Sequence, residues 1–145
     1  IGQQLRHLQL NDNQLTGMIP DSLYNMTNLQ TLYLDTNSFT GPLKPAIGNL
    51  KSLVQLSIFD NQLTGTIPFD LSNMTSLDAF WLHRNQFSGS VPVEICNLKE
   101  RGNLSFLIAD CQPPPLSNGG DQDYNACDCC TECCDRVDRD RDDCI

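Results

Sequence analysis

The densest chemistry in the chain is sulfur. Cys127, Cys129, Cys130, Cys133 and Cys134 crowd one short stretch, and Cys96, Cys111 and Cys144 complete the eight cysteines. Thiols at Cys129, Cys130, Cys133 and Cys134 would stand one helical turn apart, as a soft metal requires of its ligands. A multinuclear thiolate cluster is the extreme form of that arrangement. No accompanying histidine–cysteine knuckle supports it, however. An even number of cysteines gathered near one end is the pattern of a disulfide framework in an oxidising compartment. We therefore read Cys96, Cys111, Cys127, Cys129, Cys130, Cys133 and Cys134 as disulfide-forming, with metal binding by the tail as the alternative.

Catalytic chemistry finds less support. His7 and His83 lie far apart in sequence, and no serine or cysteine nucleophile sits in a strained turn near either. The expected place for both is a solvent-facing strand. Asp12, Asp35 and Asp60 could supply the paired carboxylates of glycoside chemistry, but a polar surface accounts for them as well. We expect no enzyme activity, and no cofactor or metal is implied. Asn25-Met26-Thr27, Asn73-Met74-Thr75 and Asn103-Leu104-Ser105 are acceptor triplets for N-linked glycan, which again places the chain on the extracellular side.

Charge narrows the partners. Residues 1–109 hold 8 acidic and 6 basic side chains (net −2), and residues 110–145 hold 10 and 3 (net −7). A polyanionic duplex would be repelled, so nucleic acid is not an expected partner. No run approaches the roughly 18 apolar residues of a membrane span, so no membrane contact is expected from these residues. Because Ile1 already belongs to a repeat, the expectation is that the chain starts inside a longer protein or comes from an incomplete gene model.

These residues are positioned by an internal repeat. Asn13, Asn37, Asn61 and Asn85 are 24 residues apart, as are Leu5, Leu29, Leu53 and Leu77, and Gly17, Gly41, Gly65 and Gly89. One unit reads LxxLxLxxNxLTGxIPxxLxNMTx. Leu8 and Leu10 alternate as a strand does, turning inward while their neighbours face out. Asn13 ends the strand, where a buried turn needs partners for its backbone groups, and an amide offers both donor and acceptor. Gly17 permits a tight bend, and Pro20 suits extended chain outside a ladder. Leu23–Met26 fits a short 3₁₀ or helical return on the outer face. A single coil of this kind depends on its neighbours for stability.

Leu15–Pro20 and Leu63–Pro68 carry Leu-Thr-Gly-x-Ile-Pro, and residues 1–110 resemble the plant-type leucine-rich repeat. The cysteine-dense end is similar to those of some algal secreted or surface proteins with such repeats. The unit departs from the pattern at Pro42-Leu43-Lys44-Pro45, where the proline is displaced, and at Ser88 and Val91. The resemblance implies an α/β solenoid: a right-handed coil with short parallel strands on the concave face and 3₁₀, short helical or extended returns on the convex face. It further implies a secreted or cell-surface recognition module that binds protein, peptide or glycan. A structural or surface-acting protein, for cell-wall or ice contact, is the alternative, but outward positions Gln9, Tyr33, Ser57 and Trp81 form no uniform array. Tyr33, Phe59 and Trp81 should point to solvent with Asp35 and His83 beside them, which is the composition of a binding hot spot. Cover by tail or glycan, or packing of the rings on each other, is the competing account.

Strands are expected to include Leu8-Leu10, Leu32-Leu34, Leu56-Ile58 and Phe80-Leu82, with Leu107-Ala109 as the last. After Leu98 the register slips, since Arg101 stands where a leucine is due and Leu104, Leu107 and Ala109 resume three residues late. Residues 111–145 are then a Cys-rich acidic cap, and Asp135–Asp143 is expected to be solvated. Cys96 belongs to an outer return and Cys111 to the end of a strand, on opposite sides of a coil. A direct bond between them would exceed the allowed Cα separation of about 4.4–6.8 Å. Non-reducing peptide mapping should therefore join at least one of them to a tail cysteine. A Cys96–Cys111 peptide, or zinc released from a tail with free thiols, would contradict this.

Overall fold

The computed structural model describes residues 4–101, 103–111 and 129–135. Of Cys111, Cys133, Cys134 and Asp135 it describes the backbone. Cys127, Cys144 and the 136–143 stretch lie outside the described residues, as does the Ile1 start.

The chain is a solenoid of stacked coils, one parallel strand to each coil. Strands β1 (His7–Gln9), β3 (Thr31–Tyr33), β5 (Gln55–Ser57), β7 (Ala79–Trp81) and β9 (Phe106–Cys111) stack in parallel to build the concave sheet. Each begins one residue earlier than the leucine pattern suggests at β1 to β9. The ladder nonetheless runs past the strand ends, because the Leu10, Leu34 and Ile58 amides donate to the Tyr33, Ser57 and Trp81 carbonyls. Leu32, Leu56, Phe80 and Leu107 are in register and buried, as period-2 alternation requires.

A second sheet was not legible in the pattern. β2 (Thr16–Gly17), β4 (Ser38–Pro42), β6 (Gln62–Thr66) and β8 (Gln86–Ser88) pair in parallel just after the asparagine turn. Stacking pairs each segment with the next at an offset of two residues, Gly17 beside Phe39, Gly41 beside Leu63 and Gly65 beside Phe87, and their backbone groups then satisfy each other. Gly17, Gly41, Gly65 and Gly89 all take positive φ, between 75° and 81°, which is the conformation glycine adopts without strain.

The outer returns are 3₁₀ helices at Asp21–Asn25, Pro45–Asn49 and Phe69–Asn73. Pro20 and Pro68 precede the first turn in extended conformation, and where the proline is displaced Lys44 takes that place with Pro45 at the start of the helix. Gly48 lies so close to the next return that a Cβ there would meet the Asp70 carbonyl oxygen. The fourth return lengthens into α1 (Val93–Arg101), whose extra turn accounts for the register slip and puts buried Leu104 in the place due at Arg101.

The expectation that Leu107-Ala109 forms the last strand is corrected. β10 (Glu132–Asp135) pairs in parallel with β9, Glu132 beside Ile108. An open β9 edge would leave a row of amides and carbonyls unpaired, and the returning tail supplies their partners. The Thr131 hydroxyl adds two more bonds, accepting from the Leu107 amide and donating to the Leu107 carbonyl. Part of the 111–145 tail is thus one further strand of the solenoid. Cys96 bonds Cys129, with Cα atoms 5.5 Å apart, fastening this strand to α1. Cys130 is also in a disulfide. Sulfurs so bonded are not available as metal ligands, which removes Cys129 and Cys130 from the alternative thiolate site.

The asparagine column ties the coils together. Asn61 Oδ1 accepts from the Phe39 amide, and its Nδ2 donates to the carbonyls of Leu34, Ile58 and Phe59. Asn37 does the same one coil earlier and Asn85 one coil later. Asn61→Ala should therefore cost roughly 1–3 kcal/mol, because it strands buried backbone groups. Exposed Gln62→Ala next to it should cost little. Chemical denaturation of the two variants checks this, and equal midpoints would show that the column is not structural.

Candidate recognition surface

Parallel register turns repeat positions into columns across the concave sheet. One column is His7, Thr31, Gln55, Ala79 and Phe106, and the next is Gln9, Tyr33, Ser57, Trp81 and Ile108. A third, just past the strands, is Asn11, Asp35, Phe59, His83 and Asp110. Its members are aligned by the Asp12, Thr36 and Asp60 amides, which donate to the Asp35, Phe59 and His83 carbonyls. Asp12, Thr36, Asp60 and Arg84 all take φ of 52° to 55°, the left-handed turn that sends the chain inward to the asparagine. For β-branched Thr36 that conformation is strained, and backbone bonds to the coil on either side, from the Asn13 amide and to the Phe59 carbonyl, hold it there.

Tyr33, Phe59 and Trp81 lie on this face, each half-buried rather than fully open. Neighbouring strands are about 4.8 Å apart, so a large ring overhangs the shorter side chain beside it. Ser57, in register between Tyr33 and Trp81, is only 4% exposed. The Tyr33 hydroxyl donates to Gln55 Oε1, laying its ring across the sheet. His7 Nδ1 and the Thr31 hydroxyl are hydrogen-bonded at 3.0 Å at the other edge.

Two of the expected ligand-binding side chains are not solvent-facing. Asp35 is 7% exposed and His83 is 8% exposed. His83 stacks on Phe59 with ring centroids 4.8 Å apart and planes 4° from parallel, so the two rings cover each other. The His83 Nδ1 has no hydrogen-bond partner among the described residues. Burial pushes the His83 pKa down, against the pull of the Asp110 and Asp60 charges and with that of Arg84. Burial likewise raises the Asp35 pKa, opposed by a hydrogen bond with Ser57 and reinforced by Asp12 and Asp60. Asp35 is thus engaged by the Ser57 hydroxyl.

Asp110 and Phe106 escaped the sequence reading. Asp110 is buried, and its carboxylate accepts from the Arg84 amide at 2.7 Å and the Asn85 amide at 3.4 Å. In earlier coils those amides find backbone carbonyls of the next turn, whereas here a side-chain carboxylate of the next turn accepts them. The signal was present, since Asp110 occupies the repeat position of Asp35 and His83. Phe106 is 51% exposed at the end of the first column, the most open aromatic on the concave face.

Models described as Leucine Rich repeats (2 copies) match residues 3–45, and as Leucine Rich Repeat, residues 52–74 and 76–98. Receptor-like kinase TMK4 of Arabidopsis thaliana is 40% identical over 57 residues, 39% of this chain and 6% of its own length. Receptor-like protein 52 of the same plant is 46% identical over 50 residues, 34% of this chain and 6% of its own. The chain thus spans about 6% of the length of these curated relatives. Among solved structures, the plant peptide hormone receptor RGFR1 in complex with RGF2 superposes with a TM-score of 0.70 at 40% identity. That match covers 74% of this chain and 17% of the receptor chain. A plant ice-binding protein superposes at 0.66 with 27% identity, over 76% of this chain and 34% of its own.

The lowered His83 pKa has a measurable consequence. The unfolded histidine takes up its proton near the ordinary 6.5, before the folded one does. Stability should therefore fall as pH drops below that value, until the folded His83 also protonates. Asp35 works in the opposite direction, losing its contribution as pH rises through a folded pKa above the ordinary 3.8. Melting curves between pH 7.5 and 5 should flatten in His83→Gln relative to the unaltered protein. Identical slopes would show that burial does not keep His83 neutral.

Proposed function

The chain belongs to the leucine-rich repeat family, and from that premise we propose that its concave sheet is a recognition surface on the extracellular side, binding protein, peptide or glycan rather than catalysing a reaction. The observation that carries this reading is the aromatic set on one regular face. Tyr33 and Trp81 flank Ser57, Phe59 with its His83 partner stands one column over, and Phe106 opens at the last strand. Such rings offer large contact area at low entropic cost, and neighbouring polar groups give orientation. RGFR1, which this solenoid resembles, was solved with RGF2 bound. The disulfide between Cys96 and Cys129 and the acceptor asparagines Asn25, Asn73 and Asn103 support a secreted or cell-surface setting.

The backbone likeness to a plant ice-binding protein supports a second reading, contact with an ordered surface. Ordered-surface contact calls for a repeated row of similar groups. The column Gln9, Tyr33, Ser57, Trp81 and Ile108 changes size and polarity at every step, which favours a shaped ligand.

A partner captured on the immobilised chain from a cell-surface fraction should bind the Tyr33→Ala and Trp81→Ala variants more weakly, by more than about 1 kcal/mol each. Melting temperatures check that the fold survives. Equal affinity of the same partner for the double variant would remove the concave aromatics from the site. Faceted growth of ice crystals in the presence of the chain would favour the second reading.

A further inference from the structure

The three acceptor triplets share one turn of the coil. Asn25 and Asn73 are the last residues of the 3₁₀ returns Asp21–Asn25 and Phe69–Asn73, and Asn103 lies between α1 and β9. This is the flank on which the chain passes from the outer return to the next concave strand. The opposite flank holds the left-handed turns and the asparagine column. Asn25, Asn73 and Asn103 are exposed, and so are Thr27, Thr75 and Ser105 two positions after them.

The coils in between break the triplet in the same way. Where Thr27 and Thr75 stand, the alternate coils place Lys51, in Asn49-Leu50-Lys51, and Lys99, in Asn97-Leu98-Lys99. Acceptor and non-acceptor coils therefore alternate along one line. Asn25 and Asn73 are thus attachment points two coils apart on the same flank, with the Asn49 coil between them. Beside Asn25 the intervening coil leaves a cavity of about 670 Å³, open to solvent and lined by Tyr24, Asn25, Thr27, Asn49, Lys51 and Ser52 among others. Its amides and hydroxyls suit sugar hydroxyls, and Tyr24 supplies part of its apolar wall.

We propose that Asn25 and Asn73 carry N-linked glycans that sheathe this one flank, the first sugars on Asn25 lying in the cavity over Asn49 and Lys51. In the transfer, asparagine Nδ2 displaces the diphosphate of an activated oligosaccharide at the anomeric carbon. The new bond is Nδ2–C1, the C1–O bond to diphosphate breaks, the diphosphate leaves with the electron pair, and the nitrogen loses one proton. The sheath keeps the flank bare of partners and leaves open the opposite ends of the concave strands, where Asp35, Phe59 and His83 stand. Asn103 is on the same flank, and the proposal does not depend on it. Nor does it depend on the recognition reading, since occupancy is measured without any partner.

The test is to secrete the full chain from a eukaryotic host and release glycans enzymatically in heavy-oxygen water, which marks each occupied asparagine as labelled aspartate. Peptide mass spectrometry should find the label at both Asn25 and Asn73. Thr27→Ala and Thr75→Ala should each remove one glycan's mass while leaving the melting temperature of the deglycosylated protein unchanged. A bulky amine-reactive ester should label Lys51 several-fold faster after glycan release, and equally fast in Thr27→Ala with or without release. Absence of label at either asparagine in the secreted protein overturns the proposal. Equal Lys51 labelling before and after release overturns the placement of the sugar over that coil.

Discussion

At the ends of β1, β3, β5 and β7 the chain turns toward the interior, and the backbone amides and carbonyls it carries there need partners other than water. Left unpaired, each such group costs about as much as a lost hydrogen bond. The asparagine column answers this constraint. Asn37, Asn61 and Asn85 each accept one amide from the preceding coil and donate to carbonyls of two coils at once. The side chain must be an amide, because a carboxylate cannot donate and a leucine offers neither function. The left-handed residues before it and the glycines after it follow from the path that this turn imposes.

A structure built by translation has to be ended, and the same constraint decides how. After Asn85 the repeat register slips, and the amides of Arg84 and Asn85 meet a side chain where earlier coils present backbone carbonyls. The Asp110 carboxylate takes that role. Beyond it β10 closes the sheet edge, Thr131 satisfies both backbone groups of Leu107, and the Cys96–Cys129 bond holds the added strand against α1. Lys99 contributes a further bond from its amine to the Cys129 carbonyl. Backbone satisfaction and a covalent tie thus do together what another coil would otherwise do.

The translational order also shapes the concave face. Strand positions that alternate outward are not equally open, since their exposure depends on the residue one coil away. Ala79 and Ser57 vanish beneath larger neighbours, whereas Phe106 opens because Glu132, the first residue of β10, pairs one step beyond it with Ile108. Phe59 and His83 form a stacked platform because two rings of similar size occupy one column in successive coils. A surface with this degree of variation from strand to strand distinguishes shapes, which a uniform array does not.

Whatever depends on period was legible in the chain before any coordinates. The leucine spacing determined the parallel strands and their inward set, the asparagine spacing the buried turn, and the misplaced proline at Pro45 altered a cap without altering the coil. Local spacing suffices there because each coil repeats the same contacts with its neighbour. The second sheet, the burial of Asp35 and His83, the strand made by the tail and the partner of Cys96 were decided only by tertiary structure. Each of these joins residues from different coils, or from the repeat and the tail. Whether a side chain is open, paired or bonded there depends on what stands about 4.8 Å away across the stack, a neighbour that lies 22 to 33 residues off in sequence.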